Sequence, residues 1–289
     1  MNEELKNAIS LIESYGYTVS RGRIDEGIDI DRDKKIVSFT KKHEDNVDTS
    51  IETNPTFDIS TVNGVQIWSI FKRKNSSRGD GNPLIYALKG ERGWKFRSEY
   101  DRKMVLEQFS SIADKFVKTH GYEITLLIPS SSRLNNYIAE MIEQKSPGPV
   151  TIIDDLIIKL TTNEVEEIVR KPNSKFNRHY KTEYERRQAI SDFERYLDNM
   201  DREKGGKFAR HYIPDFDMRK LIDRTLKVSD DRAAEYANMI NGSDLLIIDD
   251  TVTNGDSIRE TIKLIKECYA PKSITVLTML SKLYEIEND

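Results

Sequence analysis

The strongest constraint on the fold is a series of short apolar runs, at 124–128, 150–153, 245–248 and 274–280, with helical patterns between them. Each run is rich in Ile, Leu and Val and lacks polar alternation, which is the signature of a strand buried on both faces. Helical spacing appears at 101–119, with Met104, Phe109, Ile112, Phe116 and Val117, and again at 135–143 and 257–268. Strands separated by helices join as a parallel sheet with helices packed on its faces. The chain is therefore expected to be α/β, with a central, mainly parallel sheet and flanking helices. About ninety residues, 155–243, separate the second and third runs, far more than an ordinary connection. Their pattern is helical and heavily charged, which predicts a long helical insertion over 156–243. It would be a subdomain or a mobile cover over a site.

The first hundred residues read differently. Leu5, Ile9 and Ile12 predict a short amphipathic helix over 3–15, and the polar stretch 20–60 predicts loops and short strands. Runs at 65–71 and 84–88 flank the turn-forming RKNSSRGDGNP, and a second turn at 90–93 precedes Trp94. That order predicts a small antiparallel β-element. The expected division is an N-terminal α+β extension over 1–100 and an α/β core over 101–289, interrupted by the insertion.

Composition narrows the classes of partner. The net charge of −4 in 289 residues does not call for nucleic acid. The single cysteine, Cys268, excludes an internal disulfide and a thiolate metal site, which fits a reducing compartment. No apolar run approaches the ~20 residues that span a bilayer, and the first residues lack a basic start followed by an apolar stretch. A cytoplasmic protein with no membrane partner is expected. The four histidines show no metal-ligand spacing.

Chemistry concentrates in DLLIIDDTVTNGDSIRETI, residues 244–262. An apolar strand runs into Asp249 and Asp250, then a short loop with Gly255, then a helix starting near Ser257. The carboxyl ends of parallel strands face the ligand crevice. A loop entering a helix points free N–H groups at one place, which suits a phosphate. Gly255 permits close approach, and Thr253 and Ser257 add hydroxyl donors. Carboxylates accept from vicinal hydroxyls and can face a hard metal ion directly or through water. Acids beside a phosphate cradle describe a sugar phosphate. Ile152-Ile153-Asp154-Asp155 is an internal control: it has the strand and the acids but no glycine loop, and reads as structural.

This segment resembles the phosphoribosyl pyrophosphate (PRPP) signature of type I phosphoribosyltransferases: strand, two acids, four small residues, glycine, hydroxyl residue. The resemblance implies the type I fold, with the N-terminal extension as a hood that recognises the acceptor. It implies that Asp249 and Asp250 hold the ribose hydroxyls as the catalytic acids and face Mg2+. Thr253, Asn254, Gly255, Asp256 and Ser257 would hold the 5′-phosphate. Two positions depart from the commonest pattern. Asn254 stands where threonine or alanine is usual, and Asp256 puts a carboxylate into a loop built for a dianion. If that carboxylate points inward, phosphate affinity falls. If it points outward, only its N–H matters.

The family binds pyrophosphate in an earlier strand-to-helix loop. Pro129, Ser130, Ser131, Ser132 and Arg133, followed by a helix, match that arrangement and are similar to the competence-protein branch. Leu88-Lys89-Gly90 resembles the pyrophosphate loop of hypoxanthine–guanine enzymes and is the rival candidate. The insertion's Lys- and Arg-rich stretch 170–187 is either a solvated helical face or a lid over pyrophosphate. The implied activity is transfer of the 5-phosphoribosyl group to an unidentified, nitrogenous acceptor with release of pyrophosphate. A homodimer is compatible with the resemblance. The alternatives are a PRPP-sensing regulator without turnover, a PRPP-synthase-like kinase, and a scaffold with a vestigial site.

Overall fold

The computed structural model describes residues 27–40, 47–57, 64–73, 83–130, 132–204, 206–252 and 255–281. The helix expected over 3–15 lies outside them. The first half carries β1 (Gly27–Asp31), β2 (Ile36–Thr40), β3 (Val47–Asp48), β4 (Thr56–Phe57), β5 (Ile67–Arg73) and β6 (Lys95–Phe96). The second half carries β7 (Ile124–Leu127), β8 (Thr151–Ile153), β9 (Ile157–Lys159), β10 (Leu226–Val228), β11 (Asp244–Val252) and β12 (Ser273–Ser281).

The centre is a seven-stranded sheet in the order β3-β5-β12-β11-β7-β8, with β4 also paired to β5. The run β5-β12-β11-β7-β8 is parallel throughout, and only the short β3 and β4 are antiparallel. This is the mixed α/β architecture with a mostly parallel sheet that the apolar runs predict. Strand alternation explains the absence of polar residues in those runs. Leu127, Leu246, Ile248, Leu277 and Met279 face the helices Glu99–Thr119 and Leu134–Lys145, through Phe109, Ile112, Phe116, Ile138 and Ile142. Their neighbours Leu126, Leu245, Ile247 and Val276 face the helix Asp256–Cys268, through Ile258, Ile262 and Ile265. Both faces of the sheet are thus covered.

Residues 47–73 complete this sheet from the far side of residue 100, with β5 hydrogen-bonded along β12 from Ile67↔Val276 to Lys72↔Ser281. A second sheet, β1-β2-β6, is not hydrogen-bonded to it but packs on the same core, through Ile28, Val37 and Phe39. The run 84–88 is not a strand. It lies in the helix Pro83–Lys89, with Leu84, Ile85 and Ala87 buried. Proline at the first helical position costs no hydrogen bond, and the left-handed Gly90 (φ 67°) closes the far end, with Glu91 N–H donating to Tyr86 O. The expected antiparallel element is therefore a strand of the main sheet followed by a helix.

The insertion is a folded helical unit. It leaves and rejoins the core through the antiparallel pair β9 and β10. Leu160, Val165, Phe176, Phe193, Leu197, Met200, Phe208 and Ile213 form an apolar core of their own. Thr161 caps the helix Thr162–Arg170 in a complete capping box with Glu164. Among the described residues, no helix is long and apolar enough to cross a membrane.

Candidate functional site

The connections of the central sheet locate a crevice before any side chain is considered. The chain leaves β7 through the helix 134–145 to reach β8 on one side. It leaves β11 through the helix 256–268 to reach β12 on the other. β7 and β11 are neighbours, with Ile248 opposite Leu127. The two crossovers diverge between them, so their carboxyl ends flank the switch point where ligands bind in open α/β sheets.

The acids of the 244–262 segment lie at this point, still within the strand. β11 does not stop at Ile248 but continues to Val252, because β12 pairs Leu280 with Thr251 and Ser281 with Val252. Asp250 is buried and is the hub of the crevice. Its Oδ2 accepts from Ser130 Oγ at 3.1 Å and meets Lys89 Nζ at 2.5 Å, and its Oδ1 accepts from Thr251 Oγ1 at 3.0 Å. Lys89 is as deeply buried as Asp250. Asp249 is half-buried and takes the Asp250 amide on Oδ1 at 2.9 Å. Burial, and then the charge of Asp250, push its carboxyl up to about 8, against the opposing pull of the Asp250 amide, Lys89 and Asn135.

Three segments that are distant in sequence thus meet at one carboxylate. Ser130 comes from the loop after β7. There Ser130 Oγ accepts from Ser132 N–H and Ser132 Oγ accepts from Leu134 N–H, which starts the helix 134–145. Arg133, at the cap of that helix, is exposed, and its side chain makes no capping hydrogen bond. Asn135 anchors the loop by donating to Ile128 O at 2.8 Å, while its Oδ1 is buried without a partner. Leu88-Lys89-Gly90 ends a helix instead of opening one, so it delivers the Lys89 ammonium to the crevice and not a nest of amides.

Gly255 caps the helix 256–268 in the left-handed region (φ 72°, ψ 8°), where a Cβ would be strained. Asp256 opens that helix, and its carboxylate is held from two sides. Arg210 Nη1 of the insertion donates to Oδ2 at 2.9 Å, and Arg259 Nη1 of the same helix donates to Oδ1 at 3.3 Å. Ser257 is exposed in the first turn. Thr253, Asn254 and Ser131 lie outside the described residues.

Of the control pair, Asp154 is exposed and accepts from Asn136 Nδ2 at 3.3 Å, and Asp155 holds two elements together. Asp155 ties the helix Asp230–Ile240 to β8, accepting from Tyr236 OH at 2.9 Å and pairing with Arg232 at 2.7 Å. In the basic stretch 170–187, Arg170 pairs with Glu166 and Glu194, while Arg186 and Arg187 pair with Glu183. Among the described residues, the cation of the insertion that pairs with the acidic motif is Arg210, beyond that stretch.

Two site residues escape a reading of the sequence: Lys89 as the partner of Asp250, and Arg210 as the partner of Asp256. Arg259 carried a signal, because it stands three residues after Asp256 in a helix, on the same face. For a metal, the described residues contain no group of three His, Cys, Asp or Glu side chains. Asp250, and Asp249 once it has lost its proton, would nevertheless suit Mg2+ carried by a phosphate-bearing ligand, since that ion takes one or two protein carboxylates and completes its shell from the ligand and water. No family model matches this chain, and no curated protein is similar to it.

Proposed function

We propose that this chain is a phosphoribosyltransferase of the type I kind, which binds PRPP at the crevice between β7 and β11 and passes its 5-phosphoribosyl group to a nitrogenous base. The observation that carries the proposal is the meeting of Ser130 and Asp250 at the switch point of the sheet. A loop fit for pyrophosphate and a strand end fit for ribose hydroxyls stand side by side. The order of the parts supports the same assignment. The phosphate-type loop follows β7, the insertion follows β8, and the acidic motif follows β11.

In the proposed reaction the bond from the anomeric carbon to pyrophosphate oxygen breaks, and a bond to a ring nitrogen forms. The nitrogen's proton is released. Charge on the departing pyrophosphate must be met by donors that are already in place. Ser130, Ser132, Arg133 and the start of the helix 134–145 supply them on one side. Lys89 supplies a buried ammonium on the other. Asp249 and Asp250 would orient the ribose through its hydroxyls and would face Mg2+ bound with the pyrophosphate. That ion would neutralise part of the leaving group's charge.

The test is calorimetry with PRPP and Mg2+, followed by pyrophosphate release across a panel of nucleobases with a no-acceptor control. Wild type should bind, and Asp249→Asn with Asp250→Asn should abolish binding while the circular dichroism spectrum is retained. Undiminished binding by the folded double variant refutes the assignment. The Lys89–Asp250 pair favours one second reading, a PRPP sensor without turnover, because ribose hydroxyls must share Asp250 with a buried ammonium. Binding without pyrophosphate release from any acceptor would select it. We place either protein in the cytoplasm.

A further inference from the structure

We infer that Asn135 is a positioning residue for the acidic pair: by taking the carbonyl of Ile128 it opens the sheet at the crevice, turns the Asp250 amide onto Asp249 and so fixes the carboxyl group that faces the ribose. The inference rests on the sugar-phosphate reading of the crevice and adds to it the device that sets the acids. The hydrogen bonds between β7 and β11 show where this happens. The two strands are parallel and in register up to Leu127 and Ile248. One further bond of the series follows, Ile128 N–H to Ile248 O at 3.0 Å. In a parallel pair the N–H and C=O of one residue reach the two residues that flank its partner, so the next bond would run from Asp250 N–H to Ile128 O. Another pair of bonds takes its place. Asn135 Nδ2 donates to Ile128 O at 2.8 Å, and Asp250 N–H donates to Asp249 Oδ1 at 2.9 Å.

The surroundings of Asn135 argue that this exchange, and not packing, is what the residue is for. Asn135 is buried in the first turn of the helix 134–145. A carbonyl can only accept, so Nδ2 is the end of the amide turned to Ile128. Its Oδ1 is then left buried with no donor. A buried acceptor left unmade costs at least as much as one neutral hydrogen bond returns. An apolar side chain of similar size, such as leucine, would hold the helix against the sheet at lower cost and would let the ladder close. Ile138, Ala139 and Ile142 of the same helix already supply such packing. Leucine could not keep the Asp250 amide away from Ile128 O. The Asn135 amide also pulls on the Asp249 carboxyl directly. One side chain on the helix that follows the pyrophosphate-type loop thus sets the geometry of the acids on the neighbouring strand.

The test uses the full chain carrying Asn135→Leu, with Asn135→Ala as the second variant where leucine does not fit. Folding is read by circular dichroism, the Asp250 amide by hydrogen exchange in NMR spectra, and binding by calorimetry with PRPP and Mg2+ and with pyrophosphate alone. Asn135→Leu should fold, and its Asp250 amide should exchange at least about tenfold more slowly, because it joins the ladder. Its affinity for PRPP should fall at least about tenfold, the usual loss for one hydrogen bond at a binding site. Pyrophosphate without Mg2+ meets the loop after β7 and not the acids, and should bind the variant as it binds wild type. Equal losses for PRPP and pyrophosphate would overturn the inference, because Asn135 would then merely anchor the loop. An undiminished affinity for PRPP, or an Asp250 amide that exchanges as in wild type, would overturn it as well. Failure of both variants to fold would make Asn135 a support of the fold and would also overturn it. Wild type that binds neither PRPP nor pyrophosphate would instead refute the underlying assignment of the crevice.

Discussion

Asp249 and Asp250 are adjacent in the chain and are treated differently by their surroundings. Asp250 has Lys89, Ser130 and Thr251 around its two oxygens. Asp249 has one backbone amide on Oδ1, a half-buried position and a charged neighbour. Its carboxyl therefore keeps its proton up to about 8, whereas an unfolded chain releases it near the ordinary value of 3.8. Between those values the native state holds a proton that the unfolded state lacks. Stability contributed by Asp249 accordingly falls as pH rises from about 4 to about 8, and is flat above that. Asp249→Asn mimics the neutral acid and removes this slope. Its stability relative to wild type, from urea midpoints, should rise between pH 5 and pH 8 by on the order of 2 kcal/mol, allowing for screening of a half-buried group. A difference that stays level across that range would mean that Asp249 is ionised in the native protein at both ends of it.

At the scale of elements, the helix 99–119 is fastened to the small sheet by one acid. Ser98 caps the helix by accepting from Asp101 N–H. Asp101 is fully buried and accepts from Phe39 N–H at 2.8 Å and from Arg97 Nη2 at 2.8 Å. Burial alone would raise its carboxyl, but the hydrogen bonds from Ser98, Phe39 and Arg97 outweigh it and hold the group below the usual range. Its contribution is present above the ordinary carboxylate pKa and is lost as pH falls through the lowered one. Asp101→Ala should cost about 2 kcal/mol in urea unfolding at pH 7, since it strands the buried Phe39 amide, while the exposed Arg97 turns to water. A loss under about 1 kcal/mol would show that Arg97 and Phe39 find other partners. How far such elements can be read from sequence depends on where their information lies. The 245–248 run, Gly255 and the amphipathic Ile258, Ile262, Ile265 are local signals, and they place the strand, turn and helix of the motif correctly. The extension of β11 to Val252 is imposed by β12, and no property of Thr251 or Val252 announces it. The run 84–88 reads as a strand from Ile85 and Tyr86, but Pro83 and Gly90 stand at its two ends as helix signals, and Leu84, Ala87 and Leu88 favour the helix. Lys89 and Arg210 reach their carboxylates only through tertiary folding, so the acids of the site are legible and their cations are not.

For the whole molecule, the question is whether the insertion is a part of the core or a passenger with one functional contact. Leu160 N–H donates to Thr225 O at 2.9 Å, so the two ends of the inserted unit are hydrogen-bonded neighbours at the tip of the β9–β10 pair. The unit's apolar core, built around Phe176, Phe193 and Met200, is separate from the clusters on either face of the sheet. The tip itself is held by the core: Glu260, on the helix 256–268, accepts from Thr225 N–H, Thr225 Oγ1 and Leu226 N–H. Removing 161–224 and joining Leu160 to Thr225 through an Asn-Gly turn therefore keeps those three bonds and closes a hairpin of favoured geometry. It also shortens a long loop, which lowers the closure entropy by only a small amount. The excised chain should unfold cooperatively in urea, with helicity reduced by the share of the lost helices. Its affinity for PRPP should stay close to that of wild type, because Asp249, Asp250, Lys89 and the Ser130 loop all lie outside the excised unit. An excised chain that does not fold would show that the sheet depends on the insertion for stability. One that folds but binds PRPP far more weakly than wild type would show that residues of the insertion, with Arg210 and the exposed Lys171, Lys175, Arg178 and Lys181 as the first to test, face the ligand.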